Sequence, residues 1–203
     1  MKIIEDGRAP NPRRVRVFLA EKDIQMTYEQ VDITEFEHKK PGFTDLNPLQ
    51  RVPVLVLDDG MVLSESMAIC LYFEELQPEP TLMGTGPLGK ATVEMWQRRM
   101  ELNLFYPVAQ TFRHLHPAMK EMEQPQVPEW GEANRMRVLT MLSLLDSELS
   151  GHPFIAGDAF SVADITAMVG IDFMKPAKIE RPGNLPNLDR WHSEVFSRPS
   201  AGA

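Results

Sequence analysis

Residues 77–89 read Gln-Pro-Glu-Pro-Thr-Leu-Met-Gly-Thr-Gly-Pro-Leu-Gly. Three prolines and three glycines in thirteen positions deny this stretch a helical or strand pattern. A chain carrying it is expected to fold in two parts, and the residues on either side follow different rules. We place one domain over 1–78, a second over 88–203, and a linker over 79–87. A chain of 203 residues is long enough for two modest cores.

The first part alternates strand and helix signals. Lys2 to Glu5 is a short strand, and Thr27 to Ile33 a second. Between them, Asn11 followed by Pro12 predicts a helix start. The Asn side chain would cap free N–H groups, and Pro at the first helical position has no N–H to leave unpaired. Val15, Phe18 and Leu19 then recur at helical spacing. Val54-Leu55-Val56-Leu57, Asp58-Asp59-Gly60 and Met61-Val62-Leu63 form a hairpin, with Asp-Gly supplying the turn. A helix follows from Ser66 to about Leu76, with Ile69, Phe73 and Leu76 on one stripe.

The second part has no convincing strand. Helical patterns cover about 90–116, 129–149, 162–174 and 186–197. The clearest boundary is Ser161-Val162-Ala163-Asp164, where Ser161 can cap the helix and Asp164 can reach back to the cap's own N–H. The fold class is therefore α/β plus all-α.

Charge and composition narrow the function. A net charge of -8 argues against nucleic acid as the main partner. No apolar run approaches the roughly 20 residues of a membrane-spanning helix, and the charged N-terminus is unlike a signal peptide. A single cysteine, Cys70, excludes an internal disulfide, a CxxC redox pair and a Cys-only zinc site. No metal is expected, and a cytoplasmic location is.

Four stretches carry a resemblance to a known family. They are Asn11-Pro-Arg-Arg-Val-Arg-Val, Asn47-Pro-Leu-Gln-Arg-Val-Pro-Val-Leu55, Leu63-Ser-Glu-Ser-Met-Ala-Ile69 and Phe160-Ser-Val-Ala-Asp164. In order and spacing the chain resembles the cytosolic glutathione S-transferases, closest in pattern to serine-type (theta- or zeta-like) and fungal or bacterial members. The resemblance implies a thioredoxin-like N-terminal domain, an all-helical C-terminal domain supplying an electrophile pocket, a homodimer, and glutathione as co-substrate.

Glutathione is an anionic tripeptide, so its site needs an anion hole, an ammonium acceptor, a strand edge and a cation. Ser66 opens a helix whose N–H groups and dipole favour a carboxylate, and Glu65 beside it can accept from an ammonium group. On the residues alone, Ser64 or Ser66 is equally an N-cap with Glu65 as a first-turn acid; the resemblance favours the ligand reading. The resemblance also implies a cis Val52-Pro53 bond, with Val52 offering its N–H and C=O to the glutathione cysteine. A trans proline starting an edge strand is the plain alternative. The resemblance implies Gln50, Arg51, Lys39 and Lys40 as donors for the glycine carboxylate, with His38 in the same loop; on the residues alone, the run from His38 to Lys40 reads as a solvated surface.

One expected part is missing. A Ser, Cys or Tyr near the first helix usually donates to the thiolate in this family, and here the aligned position is Ala9. No Ser, Cys, Thr or Tyr lies between Met1 and Lys22. Three substitutes are open: the Asn11 side chain, a main-chain N–H of Asn11 or Arg13, or a group of the helical domain. In that domain Phe105, Tyr106 and Arg113 are assigned to the electrophile pocket and His114 to a catalytic role beside Asn11. His114 and His116, two apart on a helix, point to different faces and make a poor metal pair. Cys70 and the thirteen methionines read as core residues. The sequence thus supports a transferase joining glutathione to a small apolar electrophile. A non-catalytic glutathione-binding or scaffold protein is the alternative, and a Cys-dependent oxidoreductase is disfavoured.

Overall fold

A computed structural model describes the whole chain, residues 1–203. The chain forms two compact units, Met1–Leu82 with Pro199–Ala203, and Met83–Arg198. These limits differ from the sequence expectation at both ends of the helical domain, and hydrogen bonds explain why. The buried Lys22 ammonium donates to the carbonyls of Gln77 and Pro80 and pairs with Glu74 at 2.7 Å, so the linker's first residues are tied to the first unit. Glu74 also accepts from the Leu82 N–H at 3.0 Å. The tail returns to the same unit, where Arg13 donates to the Ala201 carbonyl at 2.9 Å and Ser200 bonds Glu21.

The first unit is built as β1 (Lys2–Glu5), α1 (Pro10–Glu21), β2 (Tyr28–Gln30), α2 (Pro41–Thr44), β3 (Val54–Val56), β4 (Val62–Ser64) and α3 (Ser66–Leu76). The four-stranded sheet runs β2-β1-β3-β4, with β1 parallel to β2 and the other pairs antiparallel. In register, Ile3 faces Leu55 and Leu55 faces Leu63. Helices α1 and α3 pack together. On the sheet, Ile4, Phe43 and Val54 bury a cluster with Val31, Leu46 and Val52 packed against it. This is the thioredoxin-like arrangement.

The start of α1 corrects the sequence reading. The helix opens at Pro10 with Ala9 as cap residue, and no side chain caps it. Asn11 is therefore the second helical residue, and Pro12 the third. Proline's fixed φ suits a first turn, and neither missing N–H breaks a helical bond there. Two prolines outweigh the capping preference of one Asn.

The second unit comprises α4 (Gly86–Met100), a π-helical turn (Glu101–Phe105), α5 (Tyr106–Leu115), α6 (Pro128–Glu148), α7 (Val162–Phe173) and α8 (Pro186–Phe196). Helix α4 starts inside the stretch read as linker, with Pro87 in its first turn. The single helix expected over 90–116 is interrupted by the π turn. Pro107 has no N–H for the carbonyl four residues back and its ring crowds that carbonyl, so the helix widens ahead of it. Helices α5 and α6 approach closely because residue 131 is glycine: a Cβ there would lie 2.6 Å from Leu115 Cγ. Every residue from Val162 to Ile171 on α7 is buried. The expected capping box at Ser161 and Asp164 is present. No helix is long and apolar enough to cross a membrane.

Candidate functional site

The connection from β1 to α1 is fixed before the helix begins. Buried Asp6 accepts from the Arg8 N–H at 2.9 Å and the Ile33 N–H at 3.1 Å, and pairs with the Arg8 guanidinium at 2.6 Å. Arg8 reaches on to Asp32 at 2.7 Å. Burial works to raise the Asp6 pKa, but these bonds outweigh it and hold the carboxyl below its ordinary value. The sequence reading missed this clamp, although an acid and a base flank Gly7 at the strand–helix junction.

The first turn of α1 then presents a single main-chain donor. Pro10 and Pro12 have no N–H, the Ala9 N–H donates to Asp6, and the Arg13 N–H donates to the Ala9 carbonyl at 3.4 Å. Only the Asn11 N–H is left without a partner in the chain, at the positive end of the helix dipole. The Asn11 carboxamide nitrogen is likewise unpartnered, while its oxygen accepts from Arg14 at 3.2 Å.

At the other helix start, the main-chain N–H groups of Ser66, Met67 and Ala68 have no carbonyl partner, and Ile69 makes the first helical bond, to Glu65. The Ser66 side chain is 6% exposed and its hydroxyl makes no bond within the chain. Glu65 is exposed and forms no ion pair. Its φ of 71° is left-handed, a strain of about 1–3 kcal/mol for a non-glycine residue and a common mark of ligand sites. Glu65 is the N-cap residue of α3 and Ser66 its first residue, and no side chain makes a capping bond. The N-cap alternative thus finds no bond.

The Val52-Pro53 bond is cis. The N–H and C=O of Val52, just ahead of β3, have no main-chain partner in the chain. The cation group is more dispersed. Gln50 sits at φ 55° in a turn closed by its own N–H on the Asn47 carbonyl, and Arg51 beside it is exposed. Lys39 stacks over the Phe36 ring at 4.7 Å, and Lys40 pairs with Glu37 at 3.2 Å. Exposed pairs of that kind bind weakly and exchange readily. His38, just before them, is buried. So the first unit contains Asn11, Lys39, Lys40, Gln50, Arg51, Val52, Pro53, Glu65 and Ser66.

The remaining predicted residues belong to the helical unit. Phe105 is buried at 6% exposure, where α7 leaves room for its backbone at Gly170; Tyr106 next to it is 47% exposed. Arg113 pairs with Glu123 at 2.9 Å. His114 is buried, and its Nδ1 accepts from the Val127 N–H at 3.0 Å, pinning the residue that precedes α6. A neutral ring then carries its proton on Nε2, which lies 3.9 Å from Glu123. His116 accepts from the Ala118 N–H and stacks on Phe112. No group of three or more His, Cys, Asp or Glu side chains is arranged to hold a metal ion. Burial pushes the Cys70 thiol up to about 12, which makes it inert.

Two family models account for most of the chain: the glutathione S-transferase N-terminal domain over residues 9–76, and the C-terminal domain over 104–199. Glutathione S-transferase 2 of Saccharomyces cerevisiae is 38% identical over 203 residues, spanning 98% of this chain and 87% of that protein. The chain belongs to the glutathione S-transferase family. Its backbone agrees with this assignment. The crystal structure of Gtt2 from Saccharomyces cerevisiae matches with a TM-score of 0.95 at 38% identity, covering 100% of this chain and 99% of that one. A glutathione S-transferase domain-containing protein of Marinobacter aquaeolei matches at 0.96 and 36%, covering 98% and 99%.

Proposed function

We propose that this protein is a glutathione transferase that joins the glutathione thiolate to a small apolar electrophile. One observation carries the reading: the unpartnered groups of the first unit match what glutathione has to offer. The helix end at Ser66 suits its α-carboxylate, Glu65 its ammonium group, and the open N–H and C=O of Val52 beside Pro53 its cysteine backbone. Gln50 and Arg51, with Lys39 and Lys40 from the neighbouring loop, suit its glycine carboxylate.

The thiol then falls to Asn11. A free thiol of this kind ionises near pH 8.5, so turnover at neutral pH needs donors that favour the thiolate. Asn11 has two, the main-chain N–H and the side-chain NH₂, at a positive helix end. Sulfur in that state attacks the electrophilic carbon and a carbon–sulfur bond forms. The displaced group leaves with its electron pair, or, in an addition, the electrons move onto the acceptor and a proton is taken up. His114 ranks second as activator, because its Nδ1 lone pair is engaged by Val127 and only Nε2–H is available to donate. The electrophile is assigned to the helical unit through Phe105, Tyr106 and Arg113. The active form is a homodimer, and the protein works in the cytoplasm.

The test is the pH dependence of thiolate absorbance for bound glutathione in wild type, Asn11→Ala and His114→Ala, alongside turnover of an aromatic halide. Asn11→Ala should raise the thiol pKa and slow turnover by about 10–100-fold, the loss of a donor to a charged atom. A silent Asn11→Ala with an inactive His114→Ala would move the activator to the helical unit. A wild-type thiol still protonated near pH 8 would replace catalysis with the binding or scaffold role.

A further inference from the structure

A carboxamide has a donor prong and an acceptor prong, and which one faces a ligand decides whether it can help a thiolate. At Asn11 that choice is made by Arg14, one turn along α1, whose Nη1 donates to Oδ1 at 3.2 Å. A guanidinium carries five N–H donors and no acceptor, so only the oxygen of the amide can lie against it. The NH₂ group is thereby turned away from Arg14, and it makes no bond elsewhere in the chain.

Arg14 is well suited to hold that arrangement. It is 2% exposed, so its guanidinium is locked by packing. Its charge is felt inside the unit, where it pulls the Cys70 thiol down against the larger effect of burial. A positive group on the oxygen also draws electron density through the amide, which makes the NH₂ a stronger donor.

We propose that Arg14 is the positioning residue of thiol activation: through Oδ1 it holds the Asn11 carboxamide with the NH₂ presented to the glutathione sulfur. This rests on the reading of Asn11 as the thiol's donor. Without Arg14 the amide would turn freely and, half the time, offer the sulfur an oxygen that repels a thiolate.

The experiment is a double-mutant cycle on the bound-thiol pKa, with Asn11→Ala, Arg14→Met, Arg14→Lys and the Asn11→Ala/Arg14→Met pair, each checked for fold by circular dichroism. Arg14→Met should raise the thiol pKa and slow turnover about tenfold, with the KM for glutathione little changed. The pair should be no worse than Asn11→Ala alone. Arg14→Lys, a donor-only cation, should restore part of the shift. If Asn11→Ala leaves the pKa unchanged, the reading of Asn11 fails and this proposal with it. If Asn11→Ala raises the pKa and Arg14→Met does not, only the Arg14 proposal is overturned. It is also overturned if Arg14→Met raises the pKa equally in the Asn11→Ala background, since Arg14 would then act by its own charge. Should Arg14→Met fail to fold, NMR of protein carrying ¹⁵N-asparagine decides: the Asn11 NH₂ signals must follow the titration of the bound thiol, and signals that ignore it refute the orientation.

Discussion

Asp164 shows how much of the helical unit hangs on one side chain. It is fully buried, and its carboxylate accepts four bonds. Oδ1 takes the Ile155 N–H at 3.0 Å and the Trp191 indole N–H at 2.8 Å; Oδ2 takes the Ser161 N–H at 2.9 Å and the Ser161 hydroxyl at 3.0 Å. Asp164→Ala strands three N–H donors that have nowhere else to turn, while the hydroxyl can rotate. Each stranded buried donor costs about 1–3 kcal/mol, and because the three share one site the total should fall below the sum, at about 3–5 kcal/mol. That is a large part of the roughly 5–15 kcal/mol holding a domain together. Asp164→Asn keeps Oδ1 for Ile155 and Trp191 and sets an NH₂ against the Ser161 N–H, so about 1–2 kcal/mol should be lost. Urea unfolding at fixed protein concentration and pH 7 measures both. The pH dependence adds a sign. Burial raises the Asp164 pKa above its ordinary 3.8, against the hydrogen bonds that lower it. The folded protein therefore binds this proton more readily than the unfolded chain between the two pKa values. This group's contribution is greatest below the unfolded value and falls as pH rises through the folded one. Asp164→Asn should remove that slope. Equal losses in the two variants, or a loss below about 0.5 kcal/mol in Asp164→Ala, would refute the reasoning.

Ser66→Ala should weaken glutathione binding by about 10- to 100-fold, the worth of one donor to a carboxylate; calorimetry showing unchanged affinity would displace the carboxylate from α3. Light scattering at micromolar concentration should give twice the 23.1 kDa of one chain, and a monomer would remove the homodimer. Cys70→Ala should keep its turnover, and a disulfide reagent should leave native Cys70 untouched at pH 8, since burial pushes its thiol up to about 12; labelling as fast as in urea would contradict its burial. Pro12→Ala should add a second main-chain donor at the α1 start and lower the bound-thiol pKa, and a pKa that does not move would mean these donors do not set it.

The sequence shows α3 and the capping box plainly because both are local. Ser66 to Leu76 carries its own stripe, and Ser161 and Asp164 sit three apart. The α1 start is not legible for a related reason: Asn is a good cap, but Pro10 and Pro12 both fit a first turn, and nothing local says which proline leads. The π turn depends on Pro107 inside an otherwise unbroken helical pattern, which periodicity alone passes over. The clamps on Asp6, Lys22 and Ala201 join residues 27, 58 and 188 positions apart, so no spacing rule reaches them. For the candidate site, sequence supplies the residue types at Val52, Glu65 and Ser66. Which of their groups are left unpartnered becomes visible only when every other donor has found its acceptor.

The same accounting bears on the proposed role of Asn11. A side-chain hydroxyl adds one donor to a helix end that already has several N–H groups. Here two prolines strip that end to a single N–H, on Asn11, and the same residue carries the only other open donor, its NH₂. The two donors leave one residue, at the point where the dipole is strongest. They are neutral, so each favours a thiolate less than an ionised partner would. On the proposed reading, rigidity offsets this: φ is fixed on both sides of Asn11 by proline rings, the preceding loop is held by Asp6 and Arg8, and the Asn11 amide oxygen accepts from Arg14. Donors that need no reorganisation when charge develops contribute more than equally strong donors that must first be ordered. On the reading proposed above, the activating site is an asparagine between two prolines, and the thiol pKa of Asn11→Ala decides it.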